Sequence, residues 1–189
     1  NVVIVGAGPI ALELLDTLMR SDAPQSITLL VRKNYLYSEV ISREGLALIQ
    51  GIFEADSRVS IRFNDQIAGK EVEGNVITKV LTKQGEIDNP FIIFGVGIDP
   101  NIPYARDLLE CDKGILVDER MRTSNENIYC VGEAAQLRAG GFIAGRVKEC
   151  TIQADVAIAN LLGDESKTFT EEVSIDGLKV GSFLFADVT

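Results

Sequence analysis

The sequence contains no apolar run approaching the roughly 20 residues that a membrane-spanning helix requires, so no membrane span is expected. It also lacks a basic segment followed by an apolar one, which is the pattern of a secretory signal. Basic residues are outnumbered, because 18 Lys and Arg face 28 Asp and Glu and leave a net charge of −10. Such a charge argues against binding to nucleic acid or to an anionic membrane.

Cysteine is scarce, and the three cysteines, Cys111, Cys130 and Cys150, form no C-x-x-C pair. Their odd number and wide spacing predict reduced, structural thiols in a cytoplasmic protein. The apolar share of 46% is ordinary for a globular protein. At 189 residues the chain can form one large core, or one domain and part of another. It starts directly on a predicted strand at Asn1, so we expect it to be an excerpt of a longer protein.

A glycine-rich turn follows the first predicted strand, Val2–Val5, whose continuous apolar run is typical of a buried parallel strand. The block Gly6-Ala7-Gly8-Pro9-Ile10-Ala11 fits G-x-G-x-x-G/A, the pattern of a dinucleotide-binding strand, turn and helix. Gly6 permits the tight turn, Gly8 lets the backbone approach a pyrophosphate, and Ala11 lets the helix pack closely. The alternative interpretation is a purely structural glycine turn.

The helix after this turn is predicted to begin at Pro9, which suits the first helical position because it has no N–H to leave unpaired. Its free amides and positive dipole would hold phosphates. Glu13 and Asp16 lie off the predicted buried stripe. The stripe consists of apolar residues at helical spacing: Ala11, Leu14, Leu15 and Leu18.

The second predicted strand, Ile27–Val31, ends without a carboxylate and is followed by Arg32 and Lys33. In a dinucleotide fold, an acidic residue at this place binds the ribose 2′-hydroxyl of NAD, whereas arginine accommodates the 2′-phosphate of NADP. Arg32 and Lys33 therefore predict a contact with that phosphate. The alternative is a solvated basic loop.

Further along, the pattern predicts a helix over residues 38–55, a strand at Val59–Phe63, a three-stranded β-meander and a returning strand at Phe91–Phe94. These elements predict an α/β fold, a Rossmann-like parallel sheet with an inserted β-meander. The predicted domain boundaries are 1–94, 95–163 and 164–189. The second range is predicted to be part of a second α/β lobe, and the last range opens a further element.

The second predicted domain contains strands at 114–118 and Ile128–Val131 and a helix over residues 147–162. The apolar face of that helix is predicted to consist of four residues: Ile152, Val156, Ala159 and Leu162.

Three blocks in this order resemble motifs of the pyridine nucleotide–disulfide oxidoreductase superfamily, and within it the NADH:rubredoxin reductase-like proteins and the nitrite reductase large subunit. The first is the glycine turn with Glu13 after it. The second is Phe94-Gly95-Val96-Gly97-Ile98-Asp99-Pro100-Asn101, similar to the family's crossing to its flavin domain. The third is Thr123-Ser124 with Ile128-Tyr129-Cys130-Val131-Gly132-Glu133, similar to its flavin motif. The Gly-Glu pair and Leu178-Lys179-Val180 resemble the nitrite reductase-like branch most.

The resemblance implies NAD(P)H and FAD as cofactors, with hydride passing from the nicotinamide to the flavin. It implies no catalytic side chain and no metal, which suits a chain without histidine. Glu13 would orient the nicotinamide carboxamide, Glu133 would bond the flavin's ribityl side, and the amides at Val147 would favour negative charge on the flavin. The implied cofactor-binding residues are Gly6, Gly8, Pro9, Ile10, Ala11, Glu13, Arg32, Lys33, Gly95, Gly97, Gly132, Glu133 and Val147.

The family's upstream FAD loop and redox-active cysteine pair have no counterpart in these residues, so the 189-residue chain is expected to hold FAD poorly or not at all. The resemblance implies transfer of electrons to an acceptor protein or a fused reductase module, in an assembly for which a homodimer is one arrangement. The alternative is a non-catalytic dinucleotide-binding or assembly module.

Overall fold

The computed structural model describes residues 1–36, 41–141, 143–170 and 175–188. They form two compact units. The first is Asn1–Gly97 together with a C-terminal hairpin, and the second starts at Ile98. The α-helices are α1 (Pro9–Met19), α2 (Arg43–Glu54) and α3 (Val147–Leu161). The strands are β1 (Val2–Val5), β2 (Ile27–Val31), β3 (Val59–Phe63), β4 (Ile67–Glu73), β5 (Val76–Thr82), β6 (Gly85–Asp88), β7 (Phe91–Phe94), β8 (Ile115–Val117), β9 (Ala135–Leu137), β10 (Ile175–Val180) and β11 (Phe183–Val188).

The first unit is organised around a four-stranded parallel sheet in the order β3-β2-β1-β7. All five residues of β2 are buried, as expected for a central strand covered on both faces. Between β3 and β7 the chain forms the antiparallel sheet β4-β5-β6. The prediction of an α/β fold with a parallel sheet and an inserted β-meander is therefore confirmed.

Helix α1 buries the predicted stripe and more. Ala11 and Leu15 are buried, and Leu14 and Leu18 are partly buried against the same core. Asp16 was placed off the buried stripe, yet it is only 5% exposed. The reason is the hairpin β10–β11, which packs on the same core and whose Gly181 N–H donates to Asp16 Oδ1 at 2.8 Å. Arg20 Nη1 pairs with the other oxygen at 2.5 Å. The sequence predicts the start of a further element at residues 164–189, and the hairpin β10–β11 within this range belongs to the first unit.

Helix α2 begins at Arg43, later than the predicted start at residue 38, and residues 38–40 of that prediction lie outside the described residues. Ser42 caps the helix, because its hydroxyl accepts a hydrogen bond from Gly45 N–H at 3.2 Å. Ile49 and Phe53 are buried on the predicted face. The helix thus covers the sheet as its apolar spacing indicates.

Arg58 joins the start of β3 to the end of α1. Its guanidinium donates to the carbonyls of Met19 and Ser21, both at 2.6 Å, and to the carboxylate of Asp56. The hydrogen bond from Arg58 holds the pKa of Asp56 below its ordinary value. The same cation thereby satisfies two carbonyls at the C-terminal end of a helix, where positive charge is favourable.

Arg58→Met is expected to lower the unfolding midpoint by about 5 °C, because both carbonyls lose their donor. Arg58→Lys should recover only part of the lost stability, since an ammonium cannot reproduce the planar set of donors of the guanidinium. The lowered pKa of Asp56 gives a stabilisation that is present above its ordinary value of 3.8 and lost as pH falls through the folded-state value. Thermal melting of the unaltered chain and the two variants at pH 7 and pH 3 measures these unfolding midpoints. If Arg58→Met lowers the midpoint equally at both pH values, the role of Asp56 is contradicted.

The second unit contains the parallel pair β8–β9 and helix α3. The prediction of a strand at Ile128–Val131 is wrong: this segment makes one isolated bridge, Arg122 to Tyr129, and strand β9 lies further along. Ile128 and Val131 are 38% and 36% exposed, whereas the segment of β9 is buried throughout. The strand that pairs with β8 is therefore the buried segment Ala135–Leu137.

Helix α3 buries part of the predicted face, because Val156 is buried and Ile152 packs against the same cluster, but the rest of the buried face differs. Leu162 lies beyond its end and is 81% exposed, whereas the polar residues Gln153 and Asn160 are buried. Asn160 Nδ2 donates to the Lys167 carbonyl at 2.7 Å, which fixes the following loop against the helix. Buried polar groups with hydrogen-bond partners can replace apolar ones at such a face.

Cys130 is partly buried, and burial raises the pKa of its thiol. A raised pKa disfavours the nucleophilic thiolate, in agreement with a structural thiol. In the part of the chain that the structure describes, no helix is long and apolar enough to cross a membrane.

Candidate functional site

The turn between β1 and α1 brings three backbone segments into close contact. Gly6 adopts φ +118°, and a Cβ on it would lie 2.2 Å from the carbonyl oxygen of Gly95. A Cβ on Gly95 would in turn lie 3.0 Å from the Ala11 side chain. Gly6 N–H donates to the Leu30 carbonyl at 3.0 Å, which ties the turn to the end of β2. The ends of β1, β2 and β7 therefore meet at this turn.

Gly8 occupies a contrasting environment at the start of α1. It is the N-cap residue, with φ −79° and ψ 177°. Among the described residues, no atom beyond its own chain neighbours lies within 4 Å of where its Cβ would be. Helix α1 has no side-chain cap and no acidic residue in its first turn. Its first amides therefore remain available to an anion, and the open space beside Gly8 lets an anion approach.

A cavity of about 670 Å³ lies over the carboxyl ends of the parallel strands of the first unit. This volume falls within the range of small-molecule and cofactor sites. The cavity also lies where open α/β sheets bind nucleotides, outside the carboxyl ends of the strands. Its walls come from the glycine turn, the end of β2, the β3–β4 connection and the end of β7. The lining residues are Val5, Gly6, Ala7, Gly8, Pro9, Leu30, Val31, Arg32, Lys33, Tyr35, Leu36, Asp65, Gln66, Ile67, Phe94, Gly95, Val96 and Gly97.

Most of the site residues predicted for the first unit line this cavity. Those that do so are Gly6, Gly8, Pro9, Arg32, Lys33, Gly95 and Gly97. Three do not: Ile10 is 64% exposed, Ala11 is fully buried against Gly95, and Glu13 is exposed on α1. The roles of these residues toward a cofactor stay predictions.

The end of β2 provides positive charge. Arg32 and Lys33 are both exposed and line the cavity. Lys33 Nζ lies 5.0 Å from the centroid of the Tyr35 ring, a cation–π contact. This places a cationic edge beside the open start of α1.

Asp65 also lines the cavity, and the sequence reasoning missed it. It is 1% exposed, and its Oδ1 accepts hydrogen bonds from the backbone N–H groups of Gln66 and Lys83 at 2.8 and 2.9 Å. Its position shortly after β3 could have indicated it, because polar residues at the carboxyl end of a parallel strand face the ligand crevice.

In the second unit, the predicted flavin-side residues lie at the start of a 3₁₀ helix, Gly132–Ala134. Gly132 adopts φ +73°, and its N–H donates to Gln153 Oε1 at 2.7 Å. Glu133 is exposed. Gln153 was also missed, although a polar residue on the inner face of a helix is a signal of such a contact.

Val147, the last of the predicted residues, is the first residue of α3 and is 84% exposed. Glu149 Oε2 accepts hydrogen bonds from the N–H groups of Gly145 and Arg146, and its other oxygen pairs with the Arg146 guanidinium. Two amides ahead of the helix are therefore already bonded, and donors for a ligand must come from the first turn itself.

The family model for pyridine nucleotide-disulphide oxidoreductases matches residues 1–159. The chain belongs to this family. The resemblance drawn from the three sequence blocks is thus confirmed at the level of the family. This member of the family is also similar to curated proteins and to solved structures.

One relative is the ferredoxin–NAD(+) reductase subunit of a benzene 1,2-dioxygenase system from Pseudomonas putida, which is 33% identical over 147 residues, or 75% of this chain and 34% of that protein. Another is rubredoxin–NAD(+) reductase from the same species, 29% identical over 140 residues, or 73% of this chain and 36% of the relative.

A crystal structure of an FAD-dependent pyridine nucleotide-disulphide oxidoreductase from Desulfovibrio vulgaris superposes with a TM-score of 0.83 at 26% identity. The superposition covers 99% of this chain and 48% of the Desulfovibrio vulgaris chain. This chain thus spans about a third to a half of the length of the proteins it matches.

Proposed function

We propose that this chain supplies the NAD(P)-binding domain and part of the flavin-binding domain of an FAD-dependent NAD(P)H oxidoreductase. The observation that carries the proposal is the cavity at the glycine turn, where Gly8 leaves open space beside the uncapped start of α1. Family membership supports the same conclusion.

The residues at the first unit's cavity fit a dinucleotide. Gly6 and Gly95 let the strand ends meet, and a Cβ at Gly8 would enter the space that a pyrophosphate needs. The free first-turn amides of α1 would orient the phosphates, and Arg32 with Lys33 would face the adenosine end. NAD(P)H supplies a hydride and FAD takes up its electron pair, so the protein contributes binding, orientation and exclusion of water.

The hydrogen-bonding groups predicted to contact the flavin fit FAD only in part. Glu133 is exposed and offers carboxylate oxygens to hydroxyl groups of the ribityl chain. At α3 the amide of Val147 opens the first turn, although Glu149 places a carboxylate close by. Gly132 is held by its hydrogen bond to Gln153, which would keep the neighbouring Glu133 in position.

The electron acceptor in this proposal is a small redox protein or a fused reductase module. The relatives named for rubredoxin and ferredoxin support the first. The Gly132-Glu133 pair and the Leu178-Lys179-Val180 segment favour a nitrite reductase-type module. The proposal also includes a cytoplasmic location and a homodimer. In it, Glu13 orients the carboxamide of the nicotinamide.

Gly8→Ala tests the proposal directly. Beyond its chain neighbours, the added methyl meets no atom of the described part of the chain within 4 Å, so the fold should be kept. NADH and NADPH should bind about tenfold more weakly in titration calorimetry. Gly51→Ala is the matched control, because its methyl also enters open space, but on α2 outside the cavity. Unchanged nucleotide binding by Gly8→Ala would contradict the assignment of the nucleotide to the space beside Gly8. No binding by the unaltered chain would favour the alternative of an assembly module.

A further inference from the structure

Asp65 has a carboxylate oxygen that the protein leaves without a donor. Oδ1 takes the N–H groups of Gln66 and Lys83, but no group in the described part of the chain donates to Oδ2, which is buried. A buried acceptor without a partner is unfavourable, more so when it belongs to a carboxylate. The two amides account for the burial of Oδ1, but nothing in the described residues compensates for the burial of Oδ2.

The backbone of Asp65 lies at the end of β2. Its N–H donates to the Val31 carbonyl at 3.1 Å, and both residues line the cavity. Val31 is the place at which a dinucleotide fold commonly provides a carboxylate to the adenosine ribose, and this chain has none there. The backbone of Asp65 thus lies beside the position that β2 leaves apolar, and its carboxylate belongs to a residue of the same cavity wall.

We propose that Asp65 Oδ2 accepts a hydrogen bond from the ribose 2′-hydroxyl of the dinucleotide's adenosine half, and that its charge opposes a 2′-phosphate. This inference rests on the proposed function, since it requires a dinucleotide in the cavity. A hydroxyl that reaches Oδ2 breaks no existing hydrogen bond of the protein and satisfies the unpartnered oxygen. Arg32 and Asp65 then act in opposite directions on cofactor choice from two walls of one cavity.

The test uses Asp65→Asn, which keeps Oδ1 as an acceptor for the two backbone amides and replaces Oδ2 by a donor. Glu73→Gln is the matched control, because it also removes one negative charge from the first unit but lies exposed at the end of β4, away from the cavity lining. Titration calorimetry measures binding of NADH, its 2′-deoxyadenosine analogue, its hypoxanthine analogue and NADPH to each protein.

In the unaltered chain, loss of the 2′-hydroxyl is expected to weaken binding about tenfold, because a hydrogen bond to a carboxylate is lost. In Asp65→Asn that difference should vanish, and the ratio of NADPH to NADH affinity should rise about tenfold. Glu73→Gln should behave like the unaltered chain. The hypoxanthine analogue should lose the same affinity in all three proteins.

Several results would overturn the inference while leaving dinucleotide binding intact. If Asp65→Asn instead changes discrimination between adenine and hypoxanthine, the donor is the purine amino group and not the ribose. If all ratios stay unchanged, Asp65 has only a structural role. Should Asp65→Asn fail to fold, the 2′-deoxy comparison in the unaltered chain still decides, because equal affinity for both ligands contradicts the proposal. Failure of every nucleotide to bind the unaltered chain would contradict the proposed function itself.

Discussion

Replacing Gly6 with alanine is expected to unfold the first unit or to destabilise it by about 4 kcal/mol or more, which corresponds to a loss of about 10 °C in Tm. The residue adopts φ +118°, a conformation that side chains of L-residues rarely allow. The new Cβ would also stand 2.2 Å from the Gly95 oxygen and 2.8 Å from its carbonyl carbon. Both atoms belong to backbone, so no rotamer change relieves the contact.

The nearest relief would separate β1 from β7. Gly95 N–H donates to the Val5 carbonyl at 2.8 Å, directly beyond the paired residues Val5 and Phe94. Moving the Gly95 carbonyl away from position 6 would strain this hydrogen bond and the contact of Gly95 with Ala11. Gly6→Ala is therefore expected to destabilise the sheet and the start of α1 as well as the turn.

Gly8→Ala is the control for this prediction, since it adds the same methyl two residues further along. Its φ of −79° suits any residue, and its methyl would have open space, since no described residue beyond its chain neighbours comes within 4 Å. Thermal melting by circular dichroism should give a Tm for Gly8→Ala close to that of the unaltered chain. A similar Tm for Gly6→Ala would show that the turn adapts, and would contradict the steric argument.

The parallel sheet and the glycine turn could be predicted because their determinants are local. An apolar strand, two glycines and Pro9 specify a strand, a turn and a helix start within about a dozen residues. The cavity follows from this topology, because parallel strands bring their carboxyl ends to one edge. Gly95 was expected from a family motif, but its contact with Ala11 needed the structure.

The features that sequence reasoning missed depend on segments far apart in the chain. Asp16 is buried because a hairpin 165 residues later donates Gly181 N–H to it. Asp65 enters the cavity because β3 lies beside β2. Helix α3 buries Gln153 because Gly132 needs an acceptor. Local periodicity assigns polar residues to the solvent side and so cannot find such pairs.

Replacing Arg32 with glutamate is expected to reverse or erase a cofactor preference that, in the unaltered chain, makes NADPH binding at least as tight as NADH binding. Arg32 lines the cavity directly after Val31, which carries no charge to repel a 2′-phosphate. Charge-assisted hydrogen bonds are worth roughly 1.5–3 kcal/mol each, so one good contact shifts the affinity ratio about tenfold to a hundredfold. Lys33 adds charge, but its ammonium also contacts the Tyr35 ring.

Arg43→Glu is the charge-matched control for Arg32→Glu. Arg43 is exposed in the first turn of α2, outside the cavity lining, and a glutamate there is favourable to the helix dipole. Titration calorimetry with both nucleotides should show the NADPH to NADH affinity ratio falling about tenfold or more for Arg32→Glu only. A clear preference for NADH in the unaltered chain would refute the assignment of Arg32. Equal shifts in both variants would mean that overall charge, and not a contact at the end of β2, sets the ratio.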